Sequence, residues 1–325
     1  MITRLERKQM KIFFIVLIIT TFILGLSLRW AYILKDNMTI TNLVAVQMLI
    51  PAISVMIAEL KTEKHEDILF TFNFLFTIFT MFSYIILMLG LLFQNEIFNM
   101  IFGISSAIFH LLLITIYFKE SILVREERLY TFTNSRKSIF FIILFVFLFA
   151  LRSFMAFFFN RDEFFNMINN INILLFLILF LNYFFSFYFF FGEELGWRYF
   201  LQPKLQKIFG KRIGVIILGV IWGVWHIFIS LYYYSPDTFL YQVLIQVFFC
   251  IAMSIFMGMC YMETENIWLC VIIHYLNNNL AGMVSGGEIA NKVISLNDTI
   301  DAIIINLIFF GIFIFAKSYR KVKKV

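Results

Sequence analysis

The chain has 325 residues, of which 62% are hydrophobic and only 14% are charged. Soluble domains average about 45–50% apolar and about 25% charged residues, and the mean hydropathy of +0.90 departs from that average in the same direction. This composition excludes a soluble globular protein, a disordered protein and a nucleic-acid-binding protein. Since a membrane helix needs roughly 20 apolar residues, the sequence predicts an all-α, polytopic integral membrane helical bundle with about 8–10 transmembrane helices.

Ten apolar runs follow one another along the chain, and the first comes directly after a basic N-terminal stretch. No small-x-small cleavage site follows that first run, so we expect a retained anchor rather than a cleaved signal peptide. The second and ninth runs are short for a membrane helix, and the predicted number of spans is therefore a range. The runs cover 12–28, 43–58, 69–93, 97–118, 139–159, 172–191, 213–233, 241–262, 267–282 and 301–316.

Basic residues are distributed asymmetrically between the segments that connect these runs. With a cytoplasmic N-terminus, 20 Lys and Arg residues fall in cytoplasmic segments, and four fall outside, namely Arg29, Lys35, Arg161 and Lys292. The positive-inside rule describes this bias. The sequence thus predicts a multi-pass protein of the cell membrane, with lipid around it, no nucleic acid partner and both termini in the cytoplasm.

The polar loop 119–138 is the largest break in the apolar pattern. It predicts an N-terminal membrane region of four helices, residues 1–138, and a C-terminal membrane core, residues 139–325, that ends in a basic tail. Every residue with candidate chemistry lies in the second region, so we expect the functional site there.

The first polar cluster contains two adjacent carboxylates, Glu193 and Glu194, directly after an apolar run. An ionised group at mid-membrane costs roughly 2.5–3.5 kcal/mol on insertion scales, so such a group needs a partner or a function. Glu194 and Arg198 are i,i+4 neighbours on a helix and can pair, whereas Glu193 is rotated by about 100° and faces another direction. The spacing favours one structural carboxylate and one available for chemistry, with an interfacial ion-pair cluster as the alternative.

Three glycines carry structural predictions. A continuous helix from 172 to Gln202 would be about 46 Å long, against a hydrocarbon core of roughly 30 Å, so it must tilt strongly or break, and we predict the break at Gly192. Gly219 and Gly223 form a small-xxx-small strip, which predicts a close contact with another helix.

Two further clusters each place a histidine inside an apolar run. Trp222 and His226 share one helical face, and His274 and Asn278 are likewise i,i+4 neighbours that can face one cavity. A lone histidine in such a run is more often a packing residue, and that alternative holds for each cluster taken alone.

Together the three clusters resemble a known family. Glu-Glu-x-x-x-Arg at 193–198, Trp-x-x-x-His at 222–226 and His-x-x-x-Asn at 274–278 are similar, in this order, to the motifs of the CPBP family. These are the CAAX proteases and bacteriocin-processing enzymes, also called Abi proteins. Phe is commoner than Trp at the first position of the second motif, but Trp222 keeps an aromatic ring there. The resemblance covers about residues 185–285 and leaves the first four runs outside.

The resemblance implies an intramembrane endopeptidase of the glutamate type. Its substrates would be membrane-associated or hydrophobic peptides of the leader, signalling, bacteriocin or CAAX type, hydrolysed by activated water. The implied catalytic residues are a base, a residue that positions water and two oxyanion donors, respectively Glu193, His226, His274 and Asn278. The residues implied to support them are Glu194, Arg198 and Trp222.

Several alternatives stay open from the sequence. The resemblance implies no cofactor, but Glu193 with His226 and His274 could bind zinc, as in three-ligand hydrolytic sites. A non-catalytic bacteriocin immunity or membrane scaffold protein of the same fold is the main alternative function. A transporter whose buried carboxylates carry protons would predict internal repeats, and we see none in the sequence. Arg152, inside the fifth run, needs a partner that the sequence does not name.

Overall fold

In the computed structural model the described residues are 2–62, 71–119, 125–126, 132–157, 173–287 and 289–320, and their regular secondary structure is helical throughout. The α-helices, numbered in chain order, are α1 Arg4–Leu34, α2 Asn37–Gln47, α3 Ile50–Leu60, α4 Thr71–Phe93, α5 Ile97–Lys119, α6 Ser135–Phe157, α7 Ile173–Glu194, α8 Gln202–Phe209, α9 Lys211–Trp225, α10 Phe239–Thr264, α11 Ile267–Val284 and α12 Leu296–Phe309. The shorter elements are a helical turn at Ile227–Ile229, π-helical segments at Leu195–Leu201 and Ser230–Tyr234, and 3-10 turns at Pro236–Thr238, Gly311–Phe315 and Lys317–Tyr319.

Within the described ranges, nine helical stretches are long and apolar enough to cross a membrane. They correspond to nine of the ten predicted runs, and the remaining run, 172–191, falls on α7. Some of these stretches bury little of their surface, since in Leu296–Phe315 only 22% of the most apolar segment is buried. Apolar side chains that face outward are what a lipid environment accommodates. The prediction of an all-α multi-pass bundle is confirmed, whereas the orientation of the termini stays a prediction.

The chain forms two compact units. The N-terminal unit comprises Ile2–Thr131 with Leu181–Phe200, and the C-terminal unit comprises Phe132–Phe180 with Leu201–Val325. Helix α7 therefore contributes its first residues to the C-terminal unit and its last residues to the N-terminal unit. The division into 1–138 and 139–325 stays a prediction, and hydropathy alone gives no sign that Leu181–Phe200 groups with the N-terminal helices.

In the N-terminal unit, the end of α7 lies against the junction between α2 and α3. A Cβ atom on Gly192 would lie 2.6 Å from the carbonyl oxygen of Met48, and one on Gly196 would lie 2.3 Å from Cβ of Pro51. Both positions need glycine because the backbones approach so closely. The predicted break at Gly192 is wrong, since α7 continues through it and the winding changes only at Leu195, where the π-helical segment begins.

In the C-terminal unit, α9 packs against α10 along the glycine strip predicted from the sequence. A Cβ atom on Gly219 would lie 2.4 Å from Cα of Ile251, and one on Gly223 would lie 2.4 Å from Cα of Val247. The prediction of a close helix contact is confirmed. The strip fixes the helix that carries Trp222, one of the candidate site residues.

A short connection with polar contacts fixes the start of α11. Glu265 adopts a left-handed conformation with φ of 50°, and Asn266 caps the helix by accepting the N–H of Leu269. The amide group of Asn266 also donates to the carbonyl oxygen of Thr133, at 2.9 Å, and to Oγ of Ser138, at 3.1 Å. These bonds satisfy polar groups that are otherwise costly to bury, and they anchor the helix that carries His274 and Asn278.

Arg152 on α6 finds its partners on its own helix and on the C-terminal helix. Its Nη1 donates to Oδ1 of Asn306 over 3.2 Å, and its guanidinium lies 4.5 Å from the ring centre of Phe149 and 5.9 Å from that of Phe310. A guanidinium over an aromatic face is a favourable arrangement where water is scarce. The contact links α6 to α12.

We expect Gly196→Ala to lower the melting temperature of the detergent-purified protein, because the added methyl group would overlap with Pro51. Overpacking of this kind costs about 1–3 kcal/mol. Gly103→Ala is the matched control, since nothing lies within 4 Å of a Cβ atom built there. In that helix the change is expected to be neutral or slightly stabilising. A Gly196→Ala protein that melts like the wild type would contradict the close contact.

Candidate functional site

The two carboxylates lie in the last turn of α7, and the residues that contact them lie in the π-helical segment that follows. Glu193 is 2% exposed and Glu194 is 0% exposed. In a π-helix the backbone bonds run from i to i+5, so this winding widens the helix locally and often occurs at functional sites. Trp197 and Arg198 come from this segment, and both side chains are fully buried.

Glu194 and Arg198 form the ion pair that their spacing predicts. Nε of Arg198 lies 3.2 Å from Oε2 of Glu194, and neither side chain is exposed. A buried pair of this kind contributes little beyond its own desolvation cost, but leaving one charge without the other is strongly unfavourable. Inside the fold the charge of Glu194 is therefore matched by the guanidinium of Arg198.

Glu193 accepts a hydrogen bond from a residue that the sequence analysis missed. The indole Nε1–H of Trp197 donates to Oε2 of Glu193 over 3.2 Å, and both groups are buried. The edge of the indole also meets the ring of Phe13 on α1, with ring centres 6.3 Å apart. The i,i+4 spacing from Glu193 was a readable signal, but an aromatic residue in an apolar stretch does not stand out.

His226 follows directly after the last residue of α9, and its ring is fixed by the preceding turn. Its Nδ1 lies 2.8 Å from the carbonyl oxygen of Trp222. Because a carbonyl only accepts, Nδ1 is the donor, and in the neutral ring Nε2 carries the lone pair. The ring centre of Trp225 lies 4.9 Å away, with its plane nearly perpendicular. His226 is thus a fixed imidazole with one defined acceptor.

Trp222 brings the second and third clusters together within the C-terminal unit. Its ring centre lies 5.4 Å from that of His274 in an edge-to-face arrangement, and 6.3 Å from that of His226. His274 is buried, whereas Asn278, one turn further along α11, is exposed. The structure therefore places the rings of the two histidines on the same tryptophan.

The candidate residues fall into two sets, each described within its own unit. Glu193, Glu194 and Arg198 belong to the N-terminal unit, and the residues of the second and third clusters belong to the C-terminal unit. Among the residues that the structure describes, no group of three or more His, Cys, Asp or Glu side chains could hold a metal ion.

The other two histidines were given no role by the sequence. His65 lies outside the described residues. His110 on α5 is buried, and its Nδ1 donates to the carbonyl oxygen of Ser106 over 2.6 Å. Its ring lies against Tyr188, with centres 3.9 Å apart, and the hydroxyl groups of Tyr188 and Ser106 are 3.0 Å apart. These contacts are those of a packing residue in the N-terminal unit.

Comparison with known families gives a match on the part of the chain that carries these residues. Residues 171–280, about a third of the chain, match a family model that is described as Type II CAAX prenyl endopeptidase Rce1-like. The matched range contains all three clusters and supports the resemblance to CAAX proteases. No curated protein and no solved structure matches the chain.

We expect Arg198→Met to lower the melting temperature strongly, because it leaves the carboxylate of Glu194 buried without its cation. Removing one partner of a buried pair costs about 3–5 kcal/mol. The double variant Glu194→Gln/Arg198→Met is expected to recover most of the loss, since it buries no charge.

Lys137→Met is the control for this prediction. It breaks the pair of Lys137 with Glu263, whose side chains are 59% and 33% exposed, and such surface pairs contribute little to stability. Equal melting temperatures for Arg198→Met and the wild type would show that the buried pair does not stabilise the fold.

Proposed function

We propose that the protein is an intramembrane endopeptidase that hydrolyses membrane-associated or hydrophobic peptides, with prenylated CAAX-type peptides as the first candidates. One observation carries the proposal. Of two adjacent buried carboxylates, Glu194 is paired with the cation of Arg198, while Glu193 accepts a hydrogen bond from the neutral indole N–H of Trp197. A hydrogen-bonded carboxylate keeps the capacity to accept a proton, which a general base requires. The family match at 171–280 supports the class of reaction.

In the proposed reaction Glu193 takes a proton from a water molecule, and the water oxygen forms a bond to the carbonyl carbon of the substrate. The C–N bond then breaks, and the proton passes from Glu193 to the leaving nitrogen. The products are a new carboxyl terminus and a new amino terminus. No nucleophilic serine or cysteine takes part, and no redox change occurs.

Under the proposal, His226, His274 and Asn278 supply the other groups that amide hydrolysis requires. With Nδ1 of His226 bonded to a carbonyl oxygen, its Nε2 can accept a hydrogen of the attacking water and orient it. His274 and the exposed carboxamide of Asn278 would donate to the oxyanion that develops on the substrate. Under this proposal Glu194, Arg198 and Trp222 hold these groups in place, and cleavage occurs from the cytoplasmic side.

We expect Glu193→Gln to abolish cleavage, because the amide keeps the shape of the side chain but cannot take a proton from water. A positioned general base contributes about 10²–10⁴-fold to the rate. The measurement uses purified protein and an internally quenched peptide that ends in a farnesylated CAAX sequence, beside an unprenylated hydrophobic peptide. Glu263→Gln is the matched control, since that carboxylate binds Ser318 and Lys137 and has no assigned catalytic part.

Two further measurements separate this function from its alternatives. Glu193→Gln/His226→Ala should lose no more activity than the more impaired single variant, because residues that act as one unit are not additive. A chelator should leave the wild-type rate unchanged, and a loss would indicate the zinc alternative. If Glu193→Gln cleaves as well as the wild type while a protective phenotype persists in cells, an immunity or scaffold role replaces the endopeptidase.

We expect Trp197→Phe to lower kcat about 10-fold and to leave KM unchanged, because a hydrogen bond to a charged group is lost while the aromatic ring is kept. The melting temperature should also fall, because a buried carboxylate loses a donor, so kcat is measured on the folded fraction. Phe13→Leu is the complementary variant, since it removes the ring beside the indole and keeps the donor. It should lower the melting temperature and preserve kcat in the folded fraction. Wild-type kcat in Trp197→Phe would contradict a role of the indole N–H.

A further inference from the structure

Helix α11 carries three polar residues on one face near its C-terminal half. Asn277 and Asn278 follow His274 by three and four residues, which places all three side chains on neighbouring positions of the helix surface. Their exposure differs, because Asn277 is 5% exposed and Asn278 is exposed. The sequence analysis used His274 and Asn278 and gave no role to Asn277.

The two asparagine side chains are joined by a hydrogen bond. Nδ2 of Asn277 donates to Oδ1 of Asn278 over 3.0 Å. A carboxamide has an oxygen that accepts and an NH₂ group that donates, and a half-turn of its terminal bond exchanges the two. Because Asn277 donates to Oδ1 of Asn278, this bond fixes which end of the Asn278 carboxamide faces Asn277, and the NH₂ group is the end directed away from it.

The carboxamide oxygen of Asn277 behaves differently from its NH₂ group. Its Oδ1 is buried and has no hydrogen-bond partner among the described residues. Buried acceptors normally find a donor, and leaving one without a donor is unfavourable. Asn279 shows the ordinary behaviour, since its Nδ2 donates to the carbonyl oxygen of Tyr275 one turn earlier. Asn277 is therefore oriented by its bond to Asn278 and not by the satisfaction of its own oxygen.

We propose that Asn277 is a positioning residue that holds the carboxamide of Asn278 with its NH₂ group directed at the substrate. The ligand recognised there is a hydrogen-bond acceptor, namely the carbonyl oxygen of the peptide bond and the oxyanion that replaces it. This inference rests on the proposed endopeptidase function and adds to it the residue that selects the orientation of the donor. Asn277 itself touches neither the substrate nor the water.

The test compares Asn277→Ala, Asn277→Asp and the control Asn279→Ala, with the same quenched farnesylated peptide and with melting temperatures for all proteins. Asn277→Ala leaves the carboxamide of Asn278 able to flip between its two orientations, so kcat should fall about 10-fold at unchanged KM. Asn277→Asp presents an acceptor in place of the donor and should hold Asn278 in the opposite orientation. Its kcat should fall about 10²-fold or more, as when an oxyanion donor is removed. Asn279→Ala should keep the wild-type kcat.

A double variant distinguishes positioning from general support of the fold. In an Asn278→Ala background, Asn277→Ala should cause no further loss of kcat, because the group that it orients is absent. An additional 10-fold loss there, or a wild-type kcat in Asn277→Ala, would overturn the inference while cleavage by the wild type upholds the proposed function. If Asn277→Asp does not fold, the Ala series decides alone. Absence of cleavage of either peptide by the wild type would overturn the proposed function and this inference together.

Discussion

A carboxylate that leaves water for an apolar interior loses its hydration, and only a cation or hydrogen-bond donors offset that loss. At the end of α7 this loss has to be offset for two adjacent carboxylates. Arg198 supplies a cation to Glu194, and Trp197 supplies an N–H to Glu193. Both partners come from the same π-helical segment, so the local winding of seven residues determines which side chain reaches each carboxylate.

The surroundings of this segment follow from the same constraint. A side chain at Gly192 or Gly196 would separate α7 from the Met48–Pro51 junction, and a gap in an apolar interior is costly. The indole of Trp197 is packed against Phe13, which restricts its donor to one direction. In the C-terminal unit, Nδ1 of His226 likewise donates to a backbone carbonyl oxygen, so that Nε2 is the nitrogen that can accept a hydrogen bond. Packing against a neighbouring ring thus fixes the donor to Glu193, and a backbone hydrogen bond fixes the ring of His226.

The sequence predicted those features that depend on spacing along a single helix. Hydropathy located nine of the apolar spans, the i,i+4 rule paired Glu194 with Arg198, and the small-residue strip located the contact at Gly219. Features that depend on contact with a second helix could not be predicted from spacing along one helix. Gly192 was interpreted as a break because its partner, more than 140 residues earlier in the chain, is invisible to a local pattern. Trp197 was missed for a different reason, since its i,i+4 spacing from Glu193 was visible but one aromatic residue in an apolar stretch does not stand out.

The grouping of Leu181–Phe200 with the N-terminal helices makes the two units interleaved along the sequence, and no single cut in the chain separates them. A gene fragment that begins after residue 131 encodes every motif residue but none of the helices that Gly192, Gly196 and Trp197 contact. Recombination between genes cannot exchange either unit as one contiguous piece. The stretch 171–280 therefore takes residues from both units, and its boundaries coincide with those of neither unit.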